Sequence, residues 1–331
     1  MQKIILEYVW LDSKNNFRSK MRVIEPYDIE TEVNREWNYD GSSTGQATTD
    51  SSEIILKPRA RFNLNNSVMI ICDTYDINGI PLPNNHRYNA NLIFEKKKAE
   101  VPWFGLEQEY FMFKYDKTLG NFYPLGYSPG VAQGEFYCSP TKQDIIATRI
   151  SEEHLSACIL AKIKISGINA EVAPGQFEFQ IGPCTGIEAG DNLLAARYLL
   201  ERIASKYEVQ ISYEPKPSPD YNGSGCHINF STKSTRKEGG LNVIKEYIEK
   251  LSLKHMEHMQ VYGENNEKRM TGLHETSSYH KFTYGVGTRN TSIRIGYETF
   301  KNNCGYFEDR RPASNIDPYL ATSKIFETTC L

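Results

Sequence analysis

The sequence predicts an α+β chain in two parts: a strand-rich segment over residues 1–85 and a mixed helix-and-strand segment over residues 86–331. Three observations predict it. Runs of β-branched and aromatic residues dominate up to Asp76. The stretch "DINGIPLPNNHRYN" then punctuates the chain with Gly79, Pro81, Pro83 and paired asparagines. Beyond it, apolar residues recur at helical spacing between further strand-like runs.

In chain order, "KIILEYVWLD", "EIILKP" and "SVMIICDTY" read as strands joined by polar turns. A helix begins at Asn89 and ends in "FEKKK", whose charges form a solvated face. The proline of "VPW" closes that charged run, and the aromatic stretch "FGLEQEYF" follows as a strand. Helical spacing returns at Ile145, Ile146, Arg149 and Ile150, continuing through Leu155, Cys158, Ile159 and Ile163. It also links Leu193, Ala196, Leu200 and Ile203, and then Ile244, Ile248 and Leu251. Between these core-facing helices "INAEVA", "QFEFQIG", "EVQISYE", "GCHINFS" and "TSIRIG" read as strands.

Composition narrows the functional classes. With 39% hydrophobic residues, 24% charged residues and a net charge of -3, the chain has neither a basic excess for nucleic acid nor the charge imbalance of a disordered segment. No apolar run is long enough to span a bilayer, and "MQKIILEYVWLD" enters a strand pattern at once, so no membrane and a cytoplasmic location are expected. Seven scattered cysteines without a CxxC pair read as reduced thiols.

The chemistry starts at Glu107 and Glu109, which share one face of "FGLEQEYF" because strand residues two apart point the same way. Such a pair needs a compensating charge; ion pairs on a half-exposed strand and a metal or acid–base site both satisfy it. In "NAEVAPGQFEFQIG", Pro174 and Gly175 suit the centre of a tight turn. A two-residue hairpin there sets Glu171 directly opposite Glu178, a like-charge pair that calls for a cation. Glu308 of "YFEDRRP" is a fifth acidic candidate. His227 shares a strand face with Asn229 and Ser231, after a turn whose Gly223 and Gly225 let another group approach closely. Oxygen donors with one imidazole fit Mg or Mn better than zinc. His255 and His258 read as surface residues of a charged helix. Arg269, Arg289, Arg294, Arg310 and Arg311 supply forks for carboxylate or phosphate, and the combination is equipment for phosphoryl transfer to an anionic acceptor.

Seven motifs in one order then carry a resemblance: "WNYDGSSTGQA", "FGLEQEYF", "NAEVAPGQFEFQIGPC", "NGSGCHINFST", "RMTGLHETSS", "RNTSIRIG" and "GYFEDRRPASNIDPY". Through them, from about Ile4 to the last residues, the chain resembles the glutamine synthetases of the eukaryotic type. The resemblance implies an N-terminal β-grasp domain and a catalytic domain with a curved antiparallel sheet flanked by helices. It implies a homo-oligomer, commonly a decamer of two pentameric rings, in which the "DGSS" loop of one chain serves the active site of the next. The implied reaction joins ammonium to the γ-carboxylate of L-glutamate through γ-glutamyl phosphate, with ATP as substrate and two to three Mg or Mn ions per site.

By the same resemblance, Glu109, Glu171 and Glu178 match ligands of the metal nearest glutamate and ammonium, and Glu107, His227 and Glu308 those of the metal handling the ATP phosphates. Asn222, Gly223, Arg269 and Arg310 match glutamate-binding positions, and Arg289 and Arg294 those that hold phosphate. Trp103, Tyr137, Pro183, Asn229, Ser231 and Tyr306 fall where the family lines its nucleotide pocket. Asp40 matches the ammonium base and Glu275 a flap carboxylate. Three departures stand out: no short N-terminal helical extension precedes the first strand, Phe177 replaces a usual tryptophan, and Tyr297 replaces a common arginine. A γ-glutamyl-amine ligase would differ around the ammonium pocket, and a non-catalytic structural descendant would have lost metal ligands; here all six metal positions are filled.

Overall fold

The structure, a computed structural model, describes residues 3–117, 120–128, 130–219 and 221–331. Its first sheet forms from the apolar runs near the N-terminus. β1 (Ile4–Leu11) pairs antiparallel with β2 (Phe17–Ile24) and parallel with β5 (Ser67–Tyr75). β3 (Trp37–Asp40) and β4 (Glu53–Leu64) complete the order β2-β1-β5-β4-β3. Alternation decides the two faces. Leu6, Tyr8 and Trp10 of β1 pack with Val68 and Ile70 of β5 in a core of their own, on the side of the short helix α1 (Ile29–Glu32). Val9, Met69 and Ile71 face the other way and join the main core of the chain. On that side Glu7 is buried and accepts hydrogen bonds from Tyr198 Oη and Arg202, which ties the first sheet to the helices beneath it.

The second sheet surrounds β6 (Trp103–Asp116). On one side lie β11 (Cys226–Ser231), β14 (Phe307–Asp309), β13 (Ile293–Ile295) and β12 (Tyr284–Val286); on the other lie β9 (Gln176–Thr185) and β8 (Ile165–Ala170). β7 (Asn121–Pro124) and β10 (Gln210–Ser212) pair with the far end of β6. All pairings are antiparallel except β12 with β13, and the sheet curls into a half-barrel. Its convex side carries the helices α2 (His86–Lys96), α3 (Ile145–Leu160), α4 (Glu188–Ser205), α5 (Gly240–Leu253), α6 (His255–Met259) and α8 (Pro318–Cys330), while the short α7 (Tyr297–Asn302) follows β13 outside the main core. α4 is buried along most of its length against α3, α8 and β9.

Local chemistry sets several boundaries. α2 starts at His86, three residues before the expected Asn89, because Asn85 caps it by accepting from the Tyr88 amide at 3.4 Å. Arg87, in its first turn, forms a forked pair with Asp191 of α4 at 2.8 and 2.9 Å. Asp144 and Asp317 cap α3 and α8 in the same way, the latter with Pro318 at the first helical position.

Two expectations are corrected. The hairpin register is shifted: Asn169 faces Glu178 and Ala170 faces Phe177, so Glu171 lies just past the end of β8. Pro174 and Gly175 do form a tight turn, with Gly175 at φ 65° and the Gln176 amide bonded to the Ala173 carbonyl at 3.2 Å. That turn type is twisted unlike a two-residue hairpin, and the chain accommodates it within a longer loop. His255 and His258 are buried rather than on the surface. His258 bonds Tyr262 Oη at 2.8 Å and Thr328 Oγ1 at 2.9 Å, and His255 meets the Tyr279 carbonyl at 2.9 Å and Arg311 at 3.1 Å. The charges nearby belong to the solvent side of a short helix whose histidine side is core.

Burial holds His258 neutral, with its pKa pushed down to about 2, and His154 likewise, down to about 4. The unfolded chain protonates these imidazoles near pH 6.5, so their contribution is fully present above that pH and is lost as pH falls toward the folded values. His258→Gln is expected to flatten the loss of stability below pH 6.5 by about 1.4 kcal/mol per pH unit. Denaturant midpoints measured from pH 7 to 4.5 check this; an unchanged slope contradicts it.

Candidate active site

Cross-strand register gathers the polar residues on the concave face of the second sheet. On β6, Glu107 and Glu109 point into the cleft while Gln108 points back and is fully buried. His227 lies directly opposite Glu107, Glu178 directly opposite Glu109, and Arg294 directly opposite Glu308. The like-charge pairing that the sequence assigned to Glu171 and Glu178 is therefore made by Glu109 and Glu178. β14 alternates in the same manner: Glu308 and Arg310 face the cleft, and Asp309 with Arg311 are buried behind it, paired at 2.6 and 2.9 Å.

The cleft encloses about 350 Å³ and brings together most of the expected residues. Glu107, Glu109, Glu171, Glu178, His227 and Glu308 line it, with Arg269, Arg289, Arg294, Arg310, Asn222, Gly223 and Glu275. Tyr137, expected in the nucleotide pocket, lines this cleft too. A second, more apolar cleft of about 360 Å³ is lined by Trp103, Pro183, Asn229, Ser231 and Tyr306, and it shares Glu107 with the first. Asp40 stands outside both, at the end of β3 in the other sheet.

Glu308 accepts from Arg310 at 2.6 Å and from Arg294 at 3.1 Å; Glu107 accepts from Asn229 at 2.7 Å. Glu109 accepts from the Gly225 amide at 2.8 Å. Gly225 has no room for a side chain, since a Cβ there would lie 2.7 Å from His227 Nε2, which explains the glycine turn ahead of β11. Burial, reinforced by Glu171 and Glu178, raises the Glu109 pKa well above the usual carboxylate value. Burial, reinforced by Glu107, pushes Glu178 up to about 8. The same desolvation, with Arg310 close by, keeps His227 far below its ordinary value and hence neutral, with one ring nitrogen free to donate an electron pair.

Glu107, His227 and Glu308 offer ligand atoms within 4.8 Å of one another, the single such trio among the described residues. Carboxylate oxygens with one neutral imidazole suit a hard divalent cation. Glu109, Glu171 and Glu178 form a more open trio beside it, with the same oxygen-donor chemistry.

On the opposite wall His274 and Glu275 both have positive φ, 53° and 60°. The Glu275 carboxylate lies 3.7 Å from Arg289, and its carbonyl is 3.5 Å from Arg310. Asp40 is exposed and caps the turn Gly41–Thr44: Ser42 Oγ and Ser43 Oγ each donate to it at 2.6 Å and hold its pKa below the ordinary value. Sequence reasoning missed Asn169, Gln176, His274 and Thr276, all of which line the first cleft. For Asn169 a signal existed, since it lies two residues before Glu171 as Glu107 does before Glu109.

Removing one of the facing carboxylates separates repulsion from metal binding. Glu178→Gln is expected to unfold at or above the wild-type temperature in metal-free buffer. Mg²⁺ or Mn²⁺ at a hundred times its Kd would stabilise the wild type by about 2.7 kcal/mol and the variant by clearly less. Calorimetry with and without metal checks both; an equal metal effect in the two proteins contradicts the role of Glu178.

The chain is similar over nearly its whole length to known proteins. The model of the family described as "Glutamine synthetase, catalytic domain" matches residues 90–330. A putative glutamine synthetase of Acanthamoeba polyphaga mimivirus is 54% identical over 98% of this chain and 94% of its own length. The glutamine synthetase cytosolic isozyme of Daucus carota is 50% identical over 99% of this chain and 95% of its own. A chloroplastic glutamine synthetase of the same plant is also 50% identical, over 99% of this chain and 78% of its own.

Proposed function

The chain belongs to the glutamine synthetase family, and from that membership we propose how its residues divide the reaction. It is a ligase that joins ammonium to L-glutamate and yields glutamine. One observation carries the division of labour: the apolar cleft and the carboxylate–arginine cleft meet at Glu107. A nucleotide seated between Trp103, Pro183 and Tyr306 therefore has its phosphates delivered to the charged cleft, where glutamate is held.

A carboxylate is a poor electrophile, and ammonium has no free electron pair. Both obstacles yield to one sequence of steps. The γ-carboxylate of glutamate takes the terminal phosphoryl group of ATP, with Arg289 and Arg294 offsetting charge on the transferring group. Asn222, Gly223 and Arg310 hold the amino acid. Arg269 joins them: its Nη2 and Nε are bound to the carbonyls of Arg310, Arg311 and Pro312 and to Asn266, and its Nη1 remains for the substrate. Cations held by Glu107, His227 and Glu308 and by Glu109, Glu171 and Glu178, Mg²⁺ or Mn²⁺ by the donor set, supply charge neutralisation when bound. Ammonium is captured by Asp40, which its serine hydroxyls keep ionised, gives up a proton to it and attacks the acyl phosphate, whose carbon–oxygen bond breaks to release phosphate and leave glutamine, ADP having left in the first step. Glu275 closes over the site and excludes water that would hydrolyse the intermediate.

The location of Asp40 in the first sheet supports an active site shared between chains, and hence a homo-oligomer built as rings, a decamer of two pentamers in the family's manner. The first sheet, with its parallel β1–β5 pair and one short helix, supports a β-grasp domain ending near residue 85. No helix of the described residues is long and apolar enough to cross a membrane, and cytosolic and chloroplastic isozymes both occur among the relatives. We place the chain in the cytoplasm.

Asp40→Asn keeps shape and loses charge. It is expected to raise the ammonium concentration for half-maximal rate and cut glutamine formation at least tenfold, while leaving ATP binding and acyl phosphate formation intact; a normal ammonium response removes Asp40 from the mechanism. Co-assembled Asp40→Ala and Glu178→Ala chains, each inactive alone, should regain part of the wild-type rate in mixed oligomers. Inactive mixtures despite proven co-assembly argue against shared sites.

A further inference from the structure

The correction of register leaves one residue without a role. Asn169, not Glu171, stands across from Glu178, in a row that runs Glu109, Glu178, Asn169 over three adjacent strands. Its side chain is bonded at both ends. Asn169 Nδ2 donates to Glu171 Oε1 at 3.0 Å, and Asn169 Oδ1 accepts from Gln180 Nε2 at 2.6 Å. Gln180 Nε2 also donates to Glu178 Oε1. Two neutral amides thus bridge two carboxylates, each of which they meet through one oxygen. Free carboxylates at this spacing would swing apart, because both are desolvated and like-charged. The amides replace lost water without adding charge, and they leave the second oxygen of each carboxylate for another partner.

Space for the bridge is built into β8. A Cβ on Gly167 would lie 2.7 Å from Gln180 Oε1, and Gly167 is the residue directly opposite Gln180. The glycine allows the Gln180 amide to lie flat across β8 and reach both Asn169 and Glu178.

We propose that Asn169 and Gln180 are positioning residues that fix Glu171 and Glu178 in the arrangement needed to bind a divalent cation. The inference rests on the reading of Glu109, Glu171 and Glu178 as a metal site. Hydrogen bonds to ligating carboxylates typically account for 10–100-fold in metal affinity. Asn169→Leu removes the donor to Glu171 and the acceptor for Gln180. Gly167→Ala leaves both amides in the chain but pushes Gln180 aside, so it tests the same bridge without touching a polar residue.

The test is Mn²⁺ binding to the full-length chain, followed by loss of the free-ion electron paramagnetic resonance signal, for wild type, Asn169→Leu, Gly167→Ala and Glu178→Ala. Circular dichroism establishes that each is folded. The expected result is a 10–100-fold weaker class of Mn²⁺ sites in Asn169→Leu and a smaller weakening in Gly167→Ala, with a second class, assigned to Glu107, His227 and Glu308, unchanged. If Glu178→Ala weakens one class and neither bridge variant does, the positioning role is wrong. If Glu178→Ala leaves binding as in the wild type, the metal site itself is wrong. Should Asn169→Leu fail to fold, Gly167→Ala alone decides, and wild-type affinity in it overturns the proposal.

Discussion

Five carboxylates held on the concave face of one curled sheet are the constraint on which the rest of this structure depends. Strand geometry puts them there: residues two apart share a face, and the register of β6 with β9 and β11 places Glu178 and His227 beside Glu109 and Glu107. Their mutual repulsion and desolvation would favour protonation or an open sheet, as the raised Glu109 and Glu178 pKa values record. Arginines offset part of this at one end, where Glu308 is held by Arg294 and Arg310. At the other end amides and a main-chain N–H do so without charge. The remaining deficit of positive charge is the observation behind the proposal that this face takes cations and the anionic substrates that arrive with them.

Such a face persists only if the sheet cannot relax, and the buried side shows why it does not. Gln108, between the two glutamates, accepts from Arg197 Nε at 2.8 Å and donates to the Ser314 carbonyl at 3.0 Å, while Arg197 also reaches the Ile316 carbonyl at 2.9 Å. Behind Glu308 and Arg310, the fully buried pair of Asp309 and Arg311 bonds Tyr262 and His255. Breaking a buried pair by removing one partner typically costs about 3–5 kcal/mol, several times a surface ion pair, so β14 is anchored by its hidden residues and presents its visible ones. Phe104, Phe230 and Phe307 pack edge-on or tilted in the same layer. The polar site is thus positioned by alternate residues of strands whose other face is ordinary core.

Much of this was legible in the sequence, and the exceptions have physical reasons. β1, β5, β6, β9 and β11 announced themselves because their apolar and aromatic runs are long. β2, "FRSKMRVI", carries three cations and was missed; it is an edge strand, where charge is tolerated. α8 was missed because it is buried around most of its circumference and its buried positions include Thr322, Ser323, Thr328 and Thr329, so no single apolar stripe appears. His258 was misjudged because a charged neighbour at i−1, Glu257, says nothing about the opposite side of a helix. Glu107, Glu109 and His227 were legible from alternation alone. The pairing of Glu178 was not, since the register depends on how many residues the Pro174–Gly175 turn leaves outside the ladder, and a shift of two keeps every side chain on its face. The assignment of Tyr137 to the nucleotide pocket came from resemblance, and in the structure that residue lines the cleft of the carboxylates. Asp40 was matched to a base by resemblance alone; the structure shows it capping a turn, with the same serine bonds holding its pKa below the ordinary value.

We propose that this face is built around two cations rather than around ion pairs alone. Crystals of the full-length chain grown with Mn²⁺, and diffraction data collected on either side of the manganese absorption edge, test it most directly. Two anomalous peaks are expected in the cleft, one touched by Glu107, His227 and Glu308 and one by Glu109, Glu171 and Glu178. No peak, or a peak held by other residues with these six paired only among themselves and the arginines, would contradict it.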